Sequence, residues 1–280
     1  MSDLILWKRL EAELAKRVEL FPGVAGLCLY DLTTERQIGL NANEIFPTAS
    51  TIKAPILMRV LQLAEQGALD LDEMIYVPQS TVVGGSGVLG HLEGYGARGL
   101  PMSRLDVAIL MIIVSDNTAT NLCIDWCNRD SINAMLDELG LPHTRLNRKL
   151  MDLEAARRNE DNLSTPADLV RLFTLLHQAQ PSAFVAEKAL AIMQKPKNGM
   201  LEKALPVLDA PPLANKPGAI GHVRCDAGLV SLPHRPYAVA IMSKFGLGAP
   251  DVQEQWVVET ARVVYETMAA LDGSNAYGNG

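Results

Sequence analysis

The chain has 280 residues, 48% of them hydrophobic and 20% charged. That globular balance excludes wholesale disorder and a small disulfide-stapled scaffold. The formal net charge is −7 and no Lys/Arg-rich run occurs, which argues against a nucleic-acid partner. The longest apolar run, Val107 to Val114, is far too short for a membrane span, so no membrane partner is expected.

The opening Met1-Ser2-Asp3 followed by Leu4-Ile5-Leu6-Trp7 lacks a signal peptide's order of basic residues, apolar core and small residues. The reading is cytoplasmic as the chain stands, and periplasmic or secreted if a leader has been removed. Apolar residues at Leu4, Trp7, Leu10, Leu14 and Val18 have helical spacing over 3–19. Phe21-Pro22-Gly23 ends that helix. Residues 24–32 are β-like, with 36–40 as a hairpin partner. A helical middle follows, at about 50–67, 103–114, 117–127, 130–139, 166–178 and 182–194. Strands return near 213–220, 226–232 and 236–244, and a last helix covers about 250–271.

The fold class is therefore α+β. An α/β lobe, about 1–48 and 196–272, holds an antiparallel sheet flanked by the terminal helices, and an all-helical lobe spans about 49–195. Together they form a single catalytic domain over 1–272, and 273–280 should be a disordered tail. Trp7 and Trp256 are expected to pack together on the sheet. No apolar stripe calls for an obligate oligomer, so a monomer is expected.

Cys123 and Cys127 stand four apart without a nearby His, which is poor zinc-site spacing. All four cysteines read as small buried apolar side chains. His91, His143, His177 and His234 have no metal-ligand spacing either, so neither metal nor cofactor is expected. Gly84-Gly85-Ser86-Gly87 has no following Lys-Ser/Thr, so it is no phosphate cradle. It reads as a flexible loop near a cleft.

Three short motifs carry chemistry. In Ser50-Thr51-Ile52-Lys53 a helix starts and places Ser50 and Lys53 on one face of its first turn. An amine so placed can take the proton of a hydroxyl nucleophile, although a capping Ser and a solvated Lys would show the same pattern. Ser115-Asp116-Asn117 joins two helices, either as a plain N-cap or as a proton relay (Ser115) with a substrate-holding amide (Asn117). Asn215-Lys216-Pro217-Gly218-Ala219 lies on a strand. There Lys216 could draw an anionic substrate, and Gly218 would permit close backbone approach.

In this order, S-x-x-K, S-D-N and K-x-G resemble the class A serine β-lactamases and the wider penicillin-recognising serine hydrolases. The resemblance covers nearly the whole chain. Thr144–Arg148 and Leu163–Pro166 are similar to the two ends of the family's omega loop. The resemblance implies that Ser50 attacks a carbonyl to give an acyl-enzyme, with Lys53 as base or relay and Ser115 protonating the leaving group. It further implies an oxyanion hole from the N–H groups of Ser50 and Ala219, and substrate contacts from Asn117, Lys216 and Gly218.

Three departures stand out. The family's water-activating Glu falls on Leu150, leaving Glu154 or Asp152 as candidate replacements, and either could equally be a solvated loop charge. Asn162 replaces the Asp expected to pair with Arg148, so Arg148 should lose its loop-closing partner. Pro217 replaces a carboxylate-binding Thr or Ser and has no hydroxyl. Arg224, read as lying between strands, could substitute for it or be a turn charge. The expected activity is class A β-lactamase-type hydrolysis, weakened by Leu150. The alternatives are an esterase, amidase or peptidase of the same fold, and a penicillin-binding or sensor protein that traps the acyl-enzyme. In each case the partner is a small β-lactam or another amide or ester.

Overall fold

The structure is a computed structural model and describes residues 2–274. In chain order its elements are helix α1 (Ser2–Leu20), strands β1 (Val24–Asp31), β2 (Gln37–Leu40) and β3 (Phe46–Pro47), helix α2 (Lys53–Glu65), and strands β4 (Met74–Val77) and β5 (Leu100–Ser103). Helices α3 (Arg104–Ile113), α4 (Asn117–Cys127), α5 (Arg129–Glu138) and α6 (Leu153–Arg157) follow. Next come strand β6 (Leu163–Ser164) and helices α7 (Pro166–His177), α8 (Ala183–Met193) and α9 (Met200–Ala204). Strands β7 (Leu213–Ile220), β8 (Val223–Val230) and β9 (Tyr237–Lys244) lead to helix α10 (Pro250–Asp272).

The chain divides into two compact units. The first comprises Met1–Thr51, Ser164–Thr174 and Asn198–Gly280, and the second Ile52–Leu163 and Leu175–Lys197. The sheet unit thus takes in 164–174, a stretch that the sequence pattern puts in the helical lobe.

In the first unit the five-stranded sheet has the order β2-β1-β9-β8-β7, and every neighbouring pair is antiparallel. β1, β8 and β9 are buried along nearly their whole length, as expected for strands covered on both faces rather than half-solvated. The core joins Trp7, Leu10 and Leu14 of α1 to Leu27 and Leu29 of β1, Val239 and Ile241 of β9, and Val257, Ala261, Val264 and Met268 of α10. Those α10 residues recur at three- and four-residue intervals, the period of one helix face. Pro250 opens α10 at its first turn, where its missing N–H costs nothing. Trp7 lies in this core and Trp256 packs against it. The Trp256 ring also packs on Phe21, with centroids 4.6 Å apart, and its Nε1 donates to Arg17 O.

The second unit is mainly helical. α2 packs against α3, α4, α5 and α8 and buries Ile56, Leu57, Val60 and Leu61. It is not all-helical as expected, because β4 and β5 form a two-stranded antiparallel hairpin in it. Both strands are only four residues long, too short for their alternation to stand out. α6 and α9, five residues each, were likewise not anticipated. β8 starts three residues earlier than expected, which puts Arg224 inside a strand, opposite Ala219. Among the described residues no helix is long and apolar enough to cross a membrane. Residues 275–280, most of the expected disordered tail, lie outside the described residues.

An ionic cluster fastens α1 to the sheet. The buried carboxylate of Asp31 accepts from Arg235 Nε at 2.7 Å, and Arg235 Nη2 donates on to Asp3 of α1 at 3.2 Å. Burial alone would raise the Asp31 pKa. Hydrogen bonds from Thr34, Thr33 and Arg235, with the Arg235 charge, outweigh it and hold the carboxyl below its ordinary value. A lowered folded-state pKa adds stability that is complete above the unfolded value of about 3.9 and is lost as pH falls through the folded one. Asp31→Asn should therefore destabilise the protein by about 3 kcal/mol at pH 7. Thermal melts should show the gap to wild type narrowing below about pH 4. A gap that is constant with pH would remove ionisation from the account.

Candidate active site

Each unit carries part of the motif set. In the sheet unit, Ser50 sits in a 3₁₀ turn, Ala49–Ile52, and the α-helix begins only at Lys53. The sequence spacing starts the helix at Ser50, three residues before it begins here. The tighter turn still places residues three apart on one face, since three residues make one 3₁₀ turn. Ala49 precedes Ser50 at φ +44°, a left-handed conformation that a non-glycine residue adopts only when its surroundings impose it. The Thr51 N–H and Oγ1–H both donate to Thr48 O and close the turn. Strand β7 runs hard against it. A Cβ on Gly218 would lie 2.7 Å from Ser50 N and 2.8 Å from Thr48 O, so only glycine lets these backbones meet and brings the adjoining Ala219 to this turn.

Lys216 is buried, and its Nζ donates to Pro217 O at 3.0 Å. Arg224 is no turn charge: it is 6% exposed. Its Nη1 donates to Gly221 O and Val223 O of the β7–β8 turn, while its buried Nε has no hydrogen-bond partner. On the same two strands, Asn215 Nδ2 donates to the buried Asp226 carboxylate, which also accepts from Leu201 N.

In the helical unit the central group is Lys53, whose side chain is completely buried. An ammonium has three protons to place. Nζ donates to Ser115 O at 2.7 Å, Ser115 Oγ at 2.9 Å and Asn117 Oδ1 at 3.0 Å. Ser115, at φ +54°, turns both its carbonyl and its hydroxyl to the same amine. Asp116 faces the other way. It caps α4 by accepting from Ala119 N and also accepts from Val88 N and Leu89 N. Asn117 Nδ2 donates to Gly84 O, and Asn117 N donates to Ser86 O. The glycine run read as a flexible loop is thus pinned to the Ser115–Asn117 motif.

The segment expected as an omega loop is drawn together at its neck. Arg145 and Leu163 exchange both backbone hydrogen bonds. Asn162 Oδ1 accepts from Asn147 N and Arg148 N. Arg148 does not lose its ion partner as expected: Nε and Nη2 bind Asp161 at 2.9 and 2.7 Å. The ion pair is made at 161 and the backbone acceptor stands at 162. Inside the loop, Leu150 is held by its main chain. Leu150 N donates to Asn121 Oδ1, and Asn121 Nδ2 donates to Leu150 O. Asp152 caps α6 through Ala155 N and lines a polar cavity of about 580 Å³ with Arg129, Arg148 and Glu160. Glu154 is exposed on α6.

Comparison with known proteins shows the family. A model of the β-lactamase enzyme family matches residues 8–268. The chain belongs to that family. β-Lactamase ROB-1 of Haemophilus influenzae is 26% identical over 91% of this chain and 83% of its own. A β-lactamase from Sphaerobacter thermophilus superposes with TM-score 0.83 at 26% identity, covering 92% of this chain and 97% of that one. PBP-A, seen as a leucine-to-glutamate variant in an acyl-enzyme complex with penicillin G, superposes with TM-score 0.82 at 28% identity, covering 94% and 97%. As a member of the β-lactamase family, this protein is a serine hydrolase.

Sequence reasoning missed three contributors: Asn121, Asp161 and the binding of the glycine run by Asn117. Asn121 carried a signal, since it lies four residues after Asn117 on one helix face. The buried cysteines supply no second nucleophile, because burial pushes every thiol up, that of Cys127 to about 12. Among the described residues no cluster of three or more His, Cys, Asp or Glu could hold a metal ion.

Asp116→Ala would leave three backbone N–H groups without their acceptor. At about 1 kcal/mol each, chemical denaturation should report a loss of about 3 kcal/mol. A loss under about 1 kcal/mol would mean that water replaces the carboxylate.

Proposed function

We propose that this enzyme opens β-lactam amides through an acyl-enzyme on Ser50 and releases the product slowly. Ser50 Oγ attacks the carbonyl carbon as Lys53, in its neutral amine form, takes the hydroxyl proton; the ammonium so formed, held by Ser115 and Asn117, gives a proton back through Ser115 Oγ to the departing nitrogen as the C–N bond breaks. The N–H groups of Ser50 and Ala219 receive the developing oxyanion; such donors are each worth about 100–1,000-fold in turnover. Asn117, Lys216 and Gly218 hold the substrate. Arg224 takes the substrate carboxylate in place of the hydroxyl that Pro217 lacks.

One observation carries the slow release. Leu150, at the position of the family's water-activating Glu, is fastened at both its N–H and its C=O. The loop therefore keeps its course with an apolar side chain where a base would stand. That the similar PBP-A carries a leucine-to-glutamate change in an acyl-enzyme with penicillin G supports the same reading. Glu154 is the nearest carboxylate in sequence not already engaged as a helix cap, and is proposed as a weak substitute base. Pro217 favours a second reading, in which another amide or ester is the native substrate.

Intact-protein mass spectrometry with penicillin G, followed over time, tests the proposal. Wild type should gain one penicillin mass and shed it slowly, and Ser50→Ala should gain nothing. Lys53→Ala should acylate at least about 100-fold more slowly, the low end for a general base. Leu150→Glu should shorten the adduct's lifetime at least about tenfold, a conservative fraction of the same range. Glu154→Gln should lengthen it. Labelling that survives Ser50→Ala would sink the nucleophile assignment, and a wild-type adduct as short-lived as that of Leu150→Glu would sink slow release.

A further inference from the structure

The Gly84–Gly87 run has no part in the mechanism just given, yet it is built onto the groups that do. A Cβ on Gly85 would stand 2.6 Å from Asn117 Nδ2 on one side and 3.0 Å from Met151 Sδ on the other, and Gly85 has φ +83°. A Cβ on Gly87 would stand 2.2 Å from Asp116 Oδ2, at φ +122°. Neighbouring glycines show that this crowding is local. Gly84 has open space around the same position, and Gly90 meets Val82 Cγ1 at 3.6 Å and Val83 O at 3.8 Å, ordinary van der Waals distances.

The Asn117 amide is fixed at both ends. Its nitrogen donates to Gly84 O at 3.1 Å and its oxygen accepts from Lys53 Nζ at 3.0 Å. The Met151 sulfur ends an exposed, flexible side chain and can swing aside; the Asn117 amide, held at both ends, cannot. With the loop backbone in place an added methyl at Gly85 therefore pushes Nδ2, and because the amide is planar, a rotation that moves Nδ2 also carries Oδ1 off the ammonium.

We infer that Gly85 is a positioning residue for acylation: its bare Cα lets the loop backbone seat the Asn117 amide, and through that amide it aims Lys53. The inference rests on the reading that Ser50 is acylated. It sets Gly85 apart from a glycine kept only for the turn, because its effect should run through one side chain.

A double-mutant cycle tests this. The readout is the rate of penicillin G adduct formation on the full chain, with thermal melts alongside. Gly85→Ala should slow acylation at least about tenfold, a modest share of what misplacing a reacting group costs. In an Asn117→Ala background the same change should cost less than about twofold, since the struck atom is gone. Gly90→Ala should acylate within about twofold of wild type, as expected of a glycine with room for a methyl. Equal losses in both backgrounds would overturn the inference, as would a Gly85→Ala enzyme that acylates like wild type, and either result leaves the Ser50 reading intact. A wild-type chain that forms no adduct on Ser50 brings down both. If Gly85→Ala does not fold, the double variant decides. Restored melting identifies Asn117 as the group struck, whereas a double variant that is still unfolded assigns Gly85 to loop folding and overturns the inference.

Discussion

The interaction on which the site depends is the burial of the Lys53 ammonium against three oxygens, two from Ser115 and one from Asn117. Removing an amine from water costs several kcal/mol unless its protons are satisfied. Meeting that demand explains much of the surrounding architecture. It accounts for the left-handed Ser115, which offers carbonyl and hydroxyl together. It also accounts for Asn117 being locked by a neighbouring loop instead of left to rotate. The strain at Ser115 is tolerated because the motif around it is over-determined. Asp116 alone ties three backbone N–H groups, drawn from the loop and from α4.

The two units handle the remaining chemistry by different physical means. In the sheet unit position comes from backbone: a left-handed Ala49, a 3₁₀ turn at Ser50 and a glycine that lets β7 meet that turn. In the helical unit position comes from side-chain hydrogen bonds that fix loops. Asn121 holds Leu150, Asn162 holds Asn147 and Arg148, and Arg148 holds Asp161. These contacts grip main-chain atoms and one carboxylate, and with the exchange between Arg145 and Leu163 they hold the neck of the loop.

How much of this was legible in the sequence varied with the range of the interaction. Long amphipathic segments such as 3–19 and 250–271 could be read because a single face repeats many times. Each of the three motifs alone could be an ordinary cap, turn or strand charge; they were legible because their order along the chain resembles a known family. Short elements such as β4, β5, α6 and α9 have too few periods to register. Arg224 was misplaced because β8 begins before its hydrophobic run does, so a charged residue looked like a turn. The partnership of Arg148 with Asp161 and the clamp of Asn121 on Leu150 were hidden for another reason. Each joins residues 13 or 29 apart, and no local pattern records such a pairing. The glycine run was misread as slack because composition alone cannot show what surrounds a bare Cα.

The order of strands also has a consequence in time. β1 lies between β2 and β9, pairing Val24 with Lys244 and Asp31 with Tyr237. On a ribosome the first hairpin emerges with one edge unsatisfied, and roughly 200 further residues must be made before its partner appears. At about 5–20 residues per second that is some 10–40 s. During that interval a strand destined for the middle of a sheet is an open edge, able to pair with another nascent chain. Newly made chains therefore have most to gain from a holding chaperone in the interval before the last strand emerges.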